Sequence, residues 1–191
     1  MGKFVLGAKR PLIIAGPCSA ETREQTVETA MQLARSGRVD VIRAGVWKPR
    51  TQPGTFEGVG EPALEWLNEV KAATGLPIAV EVANRAHVEC ALRHGVDLLW
   101  IGARTTVSPF AVQEIAESLR GNKDVAVLIK NPMVPDINLW AGAVNRLIKE
   151  GIPAENIGLI HRGFSYFGRS KYRNPPMWHM IFEMRSRFPD M

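Results

Sequence analysis

The sequence of 191 residues has few of the features that mark several common protein classes. Its two cysteines, Cys18 and Cys90, are too few for a disulfide framework or a zinc ribbon. No apolar run reaches the roughly 18 residues that a membrane-spanning helix needs. Residues 1–10 lack the long apolar core of a signal peptide, so we expect a cytoplasmic protein. No low-complexity linker divides the chain, which predicts a single domain over residues 1–191.

Basic residues outnumber acidic ones. The chain has 24 lysines and arginines against 19 acidic residues, a formal net charge of +5. This excess suits a small acidic substrate and a nucleic acid about equally well. The position of the charges therefore has to decide between them.

Short apolar runs alternate with amphipathic segments along the whole chain. The runs lack strict alternation, as is typical of strands that are covered on both faces. They predict strands over residues 12–15, 39–44, 78–82, 98–102, 125–130 and 157–161. Alternating strands and helices predict an α/β fold with parallel pairing, here a (β/α)8 TIM barrel with about six units present. A complete barrel typically needs about 250 residues, so we expect the chain to be truncated before strands 7 and 8.

Capping signals predict where the helices begin. Thr22 has Gln25 three residues on, Pro62 suits a first helical turn, and Ser108 and Asp136 each precede an apolar periodic segment. A shorter helix is predicted over residues 85–94, with its two histidines, His87 and His94, on the surface. A last helix is predicted after Asn174-Pro175.

Cations follow most of the predicted strands. Active sites of parallel α/β folds lie at the carboxyl ends of the strands, so these side chains should meet at one rim. They are Arg43, Lys48, Arg50, Arg104, Lys130 and Arg162. A single cation after a strand is usually a solvated loop residue, whereas six in register predict a site for a multiply charged anion, such as a sugar phosphate or enol phosphate.

Two further side chains at strand ends could take part in chemistry. Cys18 lies just past the first strand, where a thiolate metal ligand, a nucleophile and a core residue are all compatible with the sequence. His161 ends the sixth strand as a candidate acid, base or ligand, or as a structural histidine. Cys90 lies inside a predicted helix and is interpreted as a core residue.

Residues 161–172 interleave basic and aromatic side chains, the combination that single-stranded nucleic acids bind. The pattern is confined to one loop, without an OB-fold or RRM pattern around it, so we expect no nucleic-acid partner.

The chain resembles the DAHP synthases, specifically the shorter branch shared with the octulosonate-phosphate synthases. The resemblance runs along essentially the whole chain and is carried by residues 15–21 (Ala-Gly-Pro-Cys-Ser-Ala-Glu), Arg43, residues 48–51 (Lys-Pro-Arg-Thr), residues 101–104 (Ile-Gly-Ala-Arg), Lys130 and residues 161–163 (His-Arg-Gly). It implies a condensation of phosphoenolpyruvate with erythrose 4-phosphate that gives DAHP and phosphate, the first step of the shikimate pathway and of aromatic amino acid biosynthesis.

The resemblance also implies roles for individual residues. Phosphoenolpyruvate would be held by Arg43, Lys48, Arg104, Lys130 and Arg162, and the aldose phosphate by Arg50 and Thr51. Lys48 would protonate the aldehyde oxygen as the catalytic acid. Cys18 would be a ligand of a divalent metal of the Mn, Fe, Co or Zn class, which polarises the aldehyde.

Some features depart from the family pattern or extend it. In the octulosonate-phosphate synthases the segment matching Lys48-Pro49-Arg50-Thr51 reads Lys-Ala-Asn-Arg, which favours erythrose 4-phosphate here and leaves arabinose 5-phosphate as the alternative. The family's other metal ligands, a His, a Glu and an Asp on and after strands 7 and 8, are absent, so we expect this chain alone to be inactive or nearly so. Residues 163–175 resemble the subgroup fused to chorismate mutase. Assembly as a homo-oligomer is expected by analogy.

Overall fold

The computed structural model describes residues 6–7 and 11–191. Residues 1–5 and 8–10, which make up most of the segment considered above as a signal peptide, lie outside the described residues. No helix within the described ranges is both long and apolar enough to cross a membrane.

Six parallel strands form one sheet in the order of the chain, from β1 to β6. Every neighbouring pair is parallel, so each connection returns the chain to the same end of the sheet. The strands are β1 Ile14–Ala15, β2 Val41–Arg43, β3 Ile78–Val82, β4 Leu98–Ile101, β5 Ala126–Lys130 and β6 Ile157–Ile160. The sheet is a half-barrel, a partial (β/α)8 barrel as predicted, with β1 and β6 at its two edges within the described ranges.

Helices fill the connections and cover the outer face of the sheet. They are α1 Arg23–Arg35, α2 Pro62–Thr74, α3 Arg85–Arg93, α4 Ala103–Thr106, α5 Pro109–Ser118, α6 Ile137–Lys149 and α7 Trp178–Arg187, with a 3-10 turn at Ala154–Asn156. The predicted caps are confirmed for three helices, because the side chains of Thr22, Ser108 and Asp136 accept backbone N–H bonds at the starts of α1, α5 and α6.

The sequence missed α4, a single turn directly after β4. Its last residue ties two strands together, because the Thr106 hydroxyl lies 3.0 Å from the carbonyl oxygens of both Gly102 and Lys130. The turn therefore fixes the position of Arg104 at the rim.

Several predicted bounds were too wide, and one expectation about side chains was wrong. The first two strands are shorter than predicted, and the last helix begins at Trp178. His87 and His94 lie on or next to α3 as predicted, yet both are half-buried. The His87 ring stacks on Trp47 with centroids 4.2 Å apart.

The core has two layers. The larger one lies between the sheet and the helices. The smaller lies on the concave face and contains Val41, Ala79, Leu98, Trp100, Ala126 and Leu128. Two residues beyond Val41 and Leu128, the side chains of Arg43 and Lys130 share that concave face, since both lie over the Trp100 ring.

Candidate anion-binding site

The centre of the site is built on Trp100, which is buried at the end of β4. The Arg43 guanidinium lies 4.7 Å from the centroid of the Trp100 ring, and the Lys130 ammonium lies 5.2 Å from it. The indole Nε1 donates to Glu81 Oε2 at 2.6 Å. Cations over an indole face are attracted by its quadrupole, so Trp100 holds both of them at the floor of the concave face.

Glu81 and Lys130 form an ion pair within this group. Their Oε2 and Nζ atoms are 3.4 Å apart. Burial lowers the pKa of Lys130, the charge of Glu81 opposes that effect, and the positive charges of Arg43 and Lys48 add to the lowering. The site therefore contains cations close enough to disfavour one another's charge, a situation that an anion would relieve.

Lys48 connects the loop after β2 to the loop after β1. Its ammonium donates to the carbonyl oxygen of Cys18 at 2.8 Å and lies 3.4 Å from Cys18 Sγ. Burial raises the pKa of the exposed Cys18 thiol, but the hydrogen bond and charge of Lys48, with Arg43, outweigh it, so the pKa lies below its ordinary value. The thiol of Cys18 therefore ionises more readily than that of an ordinary cysteine.

Arg43 is tied to the same first loop, because its guanidinium donates to the carbonyl oxygen of Pro17 at 2.9 Å. This loop can approach β2 closely only because residue 16 is glycine. A Cβ at Gly16 would lie 1.9 Å from the carbonyl oxygen of Arg43.

The exposed part of the rim carries Arg50, Thr51 and Arg104. The Arg50 guanidinium donates to the carbonyl oxygen of Phe56 at 2.9 Å. The Arg104 guanidinium donates to the Thr51 hydroxyl at 3.4 Å. These bonds link the loop after β2 to the turn after β4.

The backbone of Arg162 is fixed by a hydrogen bond to the buried side-chain amide of Asn131. Asn131 is fully buried, its Oδ1 accepts from the backbone N–H of Arg162 at 2.7 Å, and its Nδ2 donates to the carbonyl oxygens of Pro132 and Gly163. Burial lowers the pKa of Arg162, and the charges of Arg173 and Arg104 lower it further. Like charges therefore converge on this side of the rim as well.

Two adjoining cavities collect the predicted cations. A cavity of about 390 Å³ is lined by Arg104, Lys130, Arg162 and Arg173, among others. A cavity of about 360 Å³ is lined by Lys48 and Arg50. Pro49 and Glu81 line both, and Arg43 lies beside them over Trp100. The structure thus brings the six predicted cations, with Thr51, to one end of the half-barrel.

Sequence reasoning gave no role to three side chains of this site: Glu81, Trp100 and Arg173. Glu81 and Trp100 are register partners on β3 and β4, which brings them side by side. A carboxylate at the end of an otherwise apolar strand was a usable signal for Glu81. Arg173 lies in the irregular segment before α7, where no periodicity indicated its direction.

His161 lies away from these cavities. Its Nε2 accepts from the backbone N–H of Met177 at 3.3 Å, its Nδ1 is buried with no hydrogen-bond partner in the described structure, and its ring lies 5.6 Å from that of Phe164. It lines a separate cavity of about 190 Å³ with Trp140 and Ile181. His161 therefore packs against helices α6 and α7, on the helical side of the sheet.

Cys18 could offer one thiolate to a metal, but the described residues do not complete a ligand set around it. Within residues 6–7 and 11–191, the one group of three Cys, His, Asp or Glu side chains whose ligand atoms lie mutually within 4.8 Å is Glu61, Cys90 and His94. Cys18 is not a member of it, so the described residues offer a metal at Cys18 a single thiolate and no complete ligand set.

The fold and the site define a partial (β/α) barrel with a cationic rim at the carboxyl ends of its strands. The model of the DAHP synthetase I family matches residues 3–182. The chain belongs to the DAHP synthetase I family, as the resemblance in its sequence implied.

Individual proteins that are similar to this chain carry the names of DAHP synthase and of a related aldolase. A solved structure of phospho-2-dehydro-3-deoxyheptonate aldolase (DAHP synthase) from Thermotoga maritima superposes with a TM-score of 0.78 at 27% identity, covering 96% of this chain and 53% of that one. The sequence of the protein of that name from the same organism is 39% identical over 104 residues, 54% of this chain and 30% of that protein. A 2-dehydro-3-deoxyphosphooctonate aldolase from Methylobacillus flagellatus is 36% identical over 92 residues, 44% of this chain and 33% of that protein. The matches to this chain therefore cover about half the length of the solved relative and about a third of the length of each curated one.

Proposed function

We propose that this chain supplies the phosphoenolpyruvate-binding part of a DAHP synthase active site. In the proposed reaction, C3 of phosphoenolpyruvate attacks the aldehyde carbon of erythrose 4-phosphate, and water adds at C2. The bond between C2 and the bridging phosphate oxygen then breaks. The products are DAHP and inorganic phosphate, and the reaction is the first step of the shikimate pathway.

The observation that supports the proposal is the set of cations over and around Trp100. Phosphoenolpyruvate carries a carboxylate and a phosphate on a three-carbon frame, so it needs several cations within a few ångströms. Arg43 and Lys130 lie over one ring, and Lys130 and Arg162 each have a pKa lowered by burial and by neighbouring cations. An anion bound between them would offset that repulsion.

The family resemblance suggests how the substrates would be divided among these residues. We assign phosphoenolpyruvate to Arg43, Lys48, Arg104, Lys130 and Arg162. Arg50 and Thr51, which are exposed at the rim, would hold the phosphate of the aldose. Lys48 lines one cavity together with Arg50 and is the proposed acid that gives its proton to the aldehyde oxygen.

A divalent metal, with Cys18 as one ligand, would supply Lewis-acid polarisation of the aldehyde when bound. Completion of the barrel by two further βα units with the remaining ligands, homo-oligomer formation and a fused chorismate mutase domain are further proposals that rest on family likeness alone. A cytoplasmic location remains a proposal as well.

Calorimetry with phosphoenolpyruvate tests the proposal on the chain as it is. We expect saturable binding that Arg43→Ala or Lys130→Met weakens by about tenfold or more, since each removes a charge-assisted contact. Arg23→Ala is the matched control, because it removes one positive charge from an exposed ion pair with Glu69 on the helical layer. No heat with phosphoenolpyruvate, or equal weakening by the control, would contradict the assignment.

The second candidate is an octulosonate-phosphate synthase that takes arabinose 5-phosphate. Two of the relatives carry the name 2-dehydro-3-deoxyphosphooctonate aldolase, at 36% and 31% identity. The segment Lys48-Pro49-Arg50-Thr51 favours erythrose 4-phosphate. A phosphoenolpyruvate-consumption assay of the full-length enzyme with each aldose separates the two.

A further inference from the structure

We infer that Glu61, Cys90 and His94 form a binding site for a divalent transition metal on the outer, helical layer of the half-barrel. This site, here called the α2–α3 site, goes beyond the proposed function. Glu61 directly precedes α2, Cys90 lies in the last turn of α3, and His94 follows that helix. None of the three lines the two cationic cavities.

The geometry brings three potential ligands to one point. The ligand atoms of the three side chains lie within 4.8 Å of one another. Cys90 Sγ is 4.0 Å from His94 Nδ1, and Glu61 Oε1 is 3.7 Å from His94 Nε2. Ligand atoms at 2.0–2.3 Å from a tetrahedral ion are about 3.3–3.7 Å apart. The pair of Glu61 Oε1 and His94 Nε2 already has this spacing, whereas Cys90 Sγ would have to move toward Nε2 to complete the site.

The helix pre-arranges two of the three ligands. Cys90 and His94 are four residues apart and therefore lie one above the other on the same face. His94 Nδ1 is 2.9 Å from the carbonyl oxygen of Cys90, to which it can donate. That bond would fix the ring and leave Nε2 as the free lone pair, the arrangement that metal-binding histidines commonly show.

The third ligand, Glu61, is exposed to solvent and free to move toward a metal. The Glu61 side chain is 55% exposed and lies 3.6 Å from an Arg93 guanidinium nitrogen, in a pair whose arginine is 62% exposed. Such an exposed ion pair is worth little and can open. Glu61 can therefore turn toward a metal, and water can fill the remaining position.

The donor set selects the class of metal. A thiolate, an imidazole and one carboxylate suit Zn²⁺ and Co²⁺, whereas Mg²⁺ and Ca²⁺ require oxygen ligands. The site differs from the proposed metal at Cys18, because it shares no ligand with it.

Cobalt absorption tests the inference without any substrate. The experiment uses the metal-free chain carrying Cys18→Ser, so that Cys90 is the one remaining thiol. Titration with Co²⁺ should produce a thiolate-to-cobalt charge-transfer band with saturable binding. Cys90→Ala should abolish the band. Glu61→Gln or His94→Gln should raise the dissociation constant for Co²⁺ by about tenfold or more.

Matched variants keep the result interpretable. Glu65→Gln removes an exposed carboxylate in the first turn of α2, and His179→Gln an exposed imidazole in α7, so neither should change Co²⁺ binding. The absence of a band overturns the inference, and so does a band whose affinity Glu61→Gln and His94→Gln leave unchanged. If Cys90→Ala disturbs folding, the exposed Glu61→Gln variant decides. A failed phosphoenolpyruvate titration leaves this result untouched, because the cobalt experiment uses no substrate.

Discussion

Lys48 Nζ lies 3.4 Å from Cys18 Sγ and 2.8 Å from the carbonyl oxygen of the same residue. One ammonium thus fixes the backbone of the first loop and stabilises a thiolate within it. The proposed acid and the proposed metal ligand are direct neighbours, although 30 residues separate them in the chain. A change at either side chain should therefore be felt at the other.

The first prediction concerns the reactivity of Cys18. In the metal-free chain, Cys18 should react with iodoacetamide faster than the buried Cys90 at neutral pH, because its pKa is lowered and its thiol is exposed. Lys48→Met should slow that reaction several-fold and move its pH midpoint upward, since burial, which raises the pKa, would then be opposed by Arg43 alone. Mass spectrometry of each alkylated cysteine measures both effects.

The control for this experiment is Arg23→Ala, which removes a distant positive charge and should leave the Cys18 rate unchanged. An unchanged pH midpoint in Lys48→Met would mean that Lys48 does not set the ionisation of the thiol.

The second prediction concerns Glu81 and the buried indole. Glu81→Ala leaves Trp100 Nε1 without its acceptor and Lys130 without its counter-charge. We expect it to lower the free energy of unfolding by about 1–3 kcal/mol, the cost of an unsatisfied buried polar group. Trp100→Phe removes the donor as well, so the double variant should lose less stability than the sum of the two single ones.

Urea unfolding provides these free energies, with Glu65→Gln as an exposed control expected to stay within about 0.5 kcal/mol of the wild type. Strict additivity of Glu81→Ala and Trp100→Phe would contradict a bond between the two side chains.

Sequence reasoning predicted the half-barrel because its signals are local. Apolar runs and capping residues each depend on a few neighbouring positions, and parallel pairing then brings the strand ends to one edge. For that reason the sequence pattern alone places Arg43, Lys130 and Arg162 together. The prediction of a multiply charged anion as the ligand follows from the same argument.

The features that escaped prediction depend on contacts between distant elements. Glu81 pairs with Trp100 through the register of β3 and β4, which no local pattern encodes. His87 was expected on the surface, but the long loop after β2 returns Trp47 onto its ring. A helical period shows which face of α3 a residue occupies, while the path of that loop decides what covers the face.

The third prediction uses two glycines in different surroundings. A Cβ at Gly45 would lie 2.4 Å from the carbonyl oxygen of Cys18 and 2.9 Å from Lys48 Cδ. Gly45→Ala must therefore push the first loop away from Lys48, and we expect a loss of about 1–3 kcal/mol in unfolding free energy. The phosphoenolpyruvate affinity should fall as well.

Gly142 provides the matched case for the same substitution. It lies inside α6, and a Cβ there would meet no atom within 4 Å. Gly142→Ala should raise the unfolding free energy by about 0.5–1 kcal/mol, because alanine loses less entropy in a helix. If both alanine variants destabilise the chain equally, the close contact at Gly45 is not the cause.

The fourth prediction concerns how stability depends on pH through His87. Burial against Trp47 lowers the pKa of His87, and its Nδ1 accepts from the backbone N–H of Ala83, which requires a neutral ring. As pH falls below the ordinary histidine value, the unfolded chain takes up a proton more readily than the folded one. The contribution of the neutral ring is therefore complete above that value and is lost as pH falls through the lower pKa of the folded state.

Urea midpoints at about pH 7.5 and about pH 5.5, on either side of the ordinary histidine pKa, should differ less in His87→Gln than in the wild type, whereas the exposed His179→Gln should keep the wild-type difference. An equal pH dependence in His87→Gln and the wild type would show that the ring stacked on Trp47 does not carry this proton linkage.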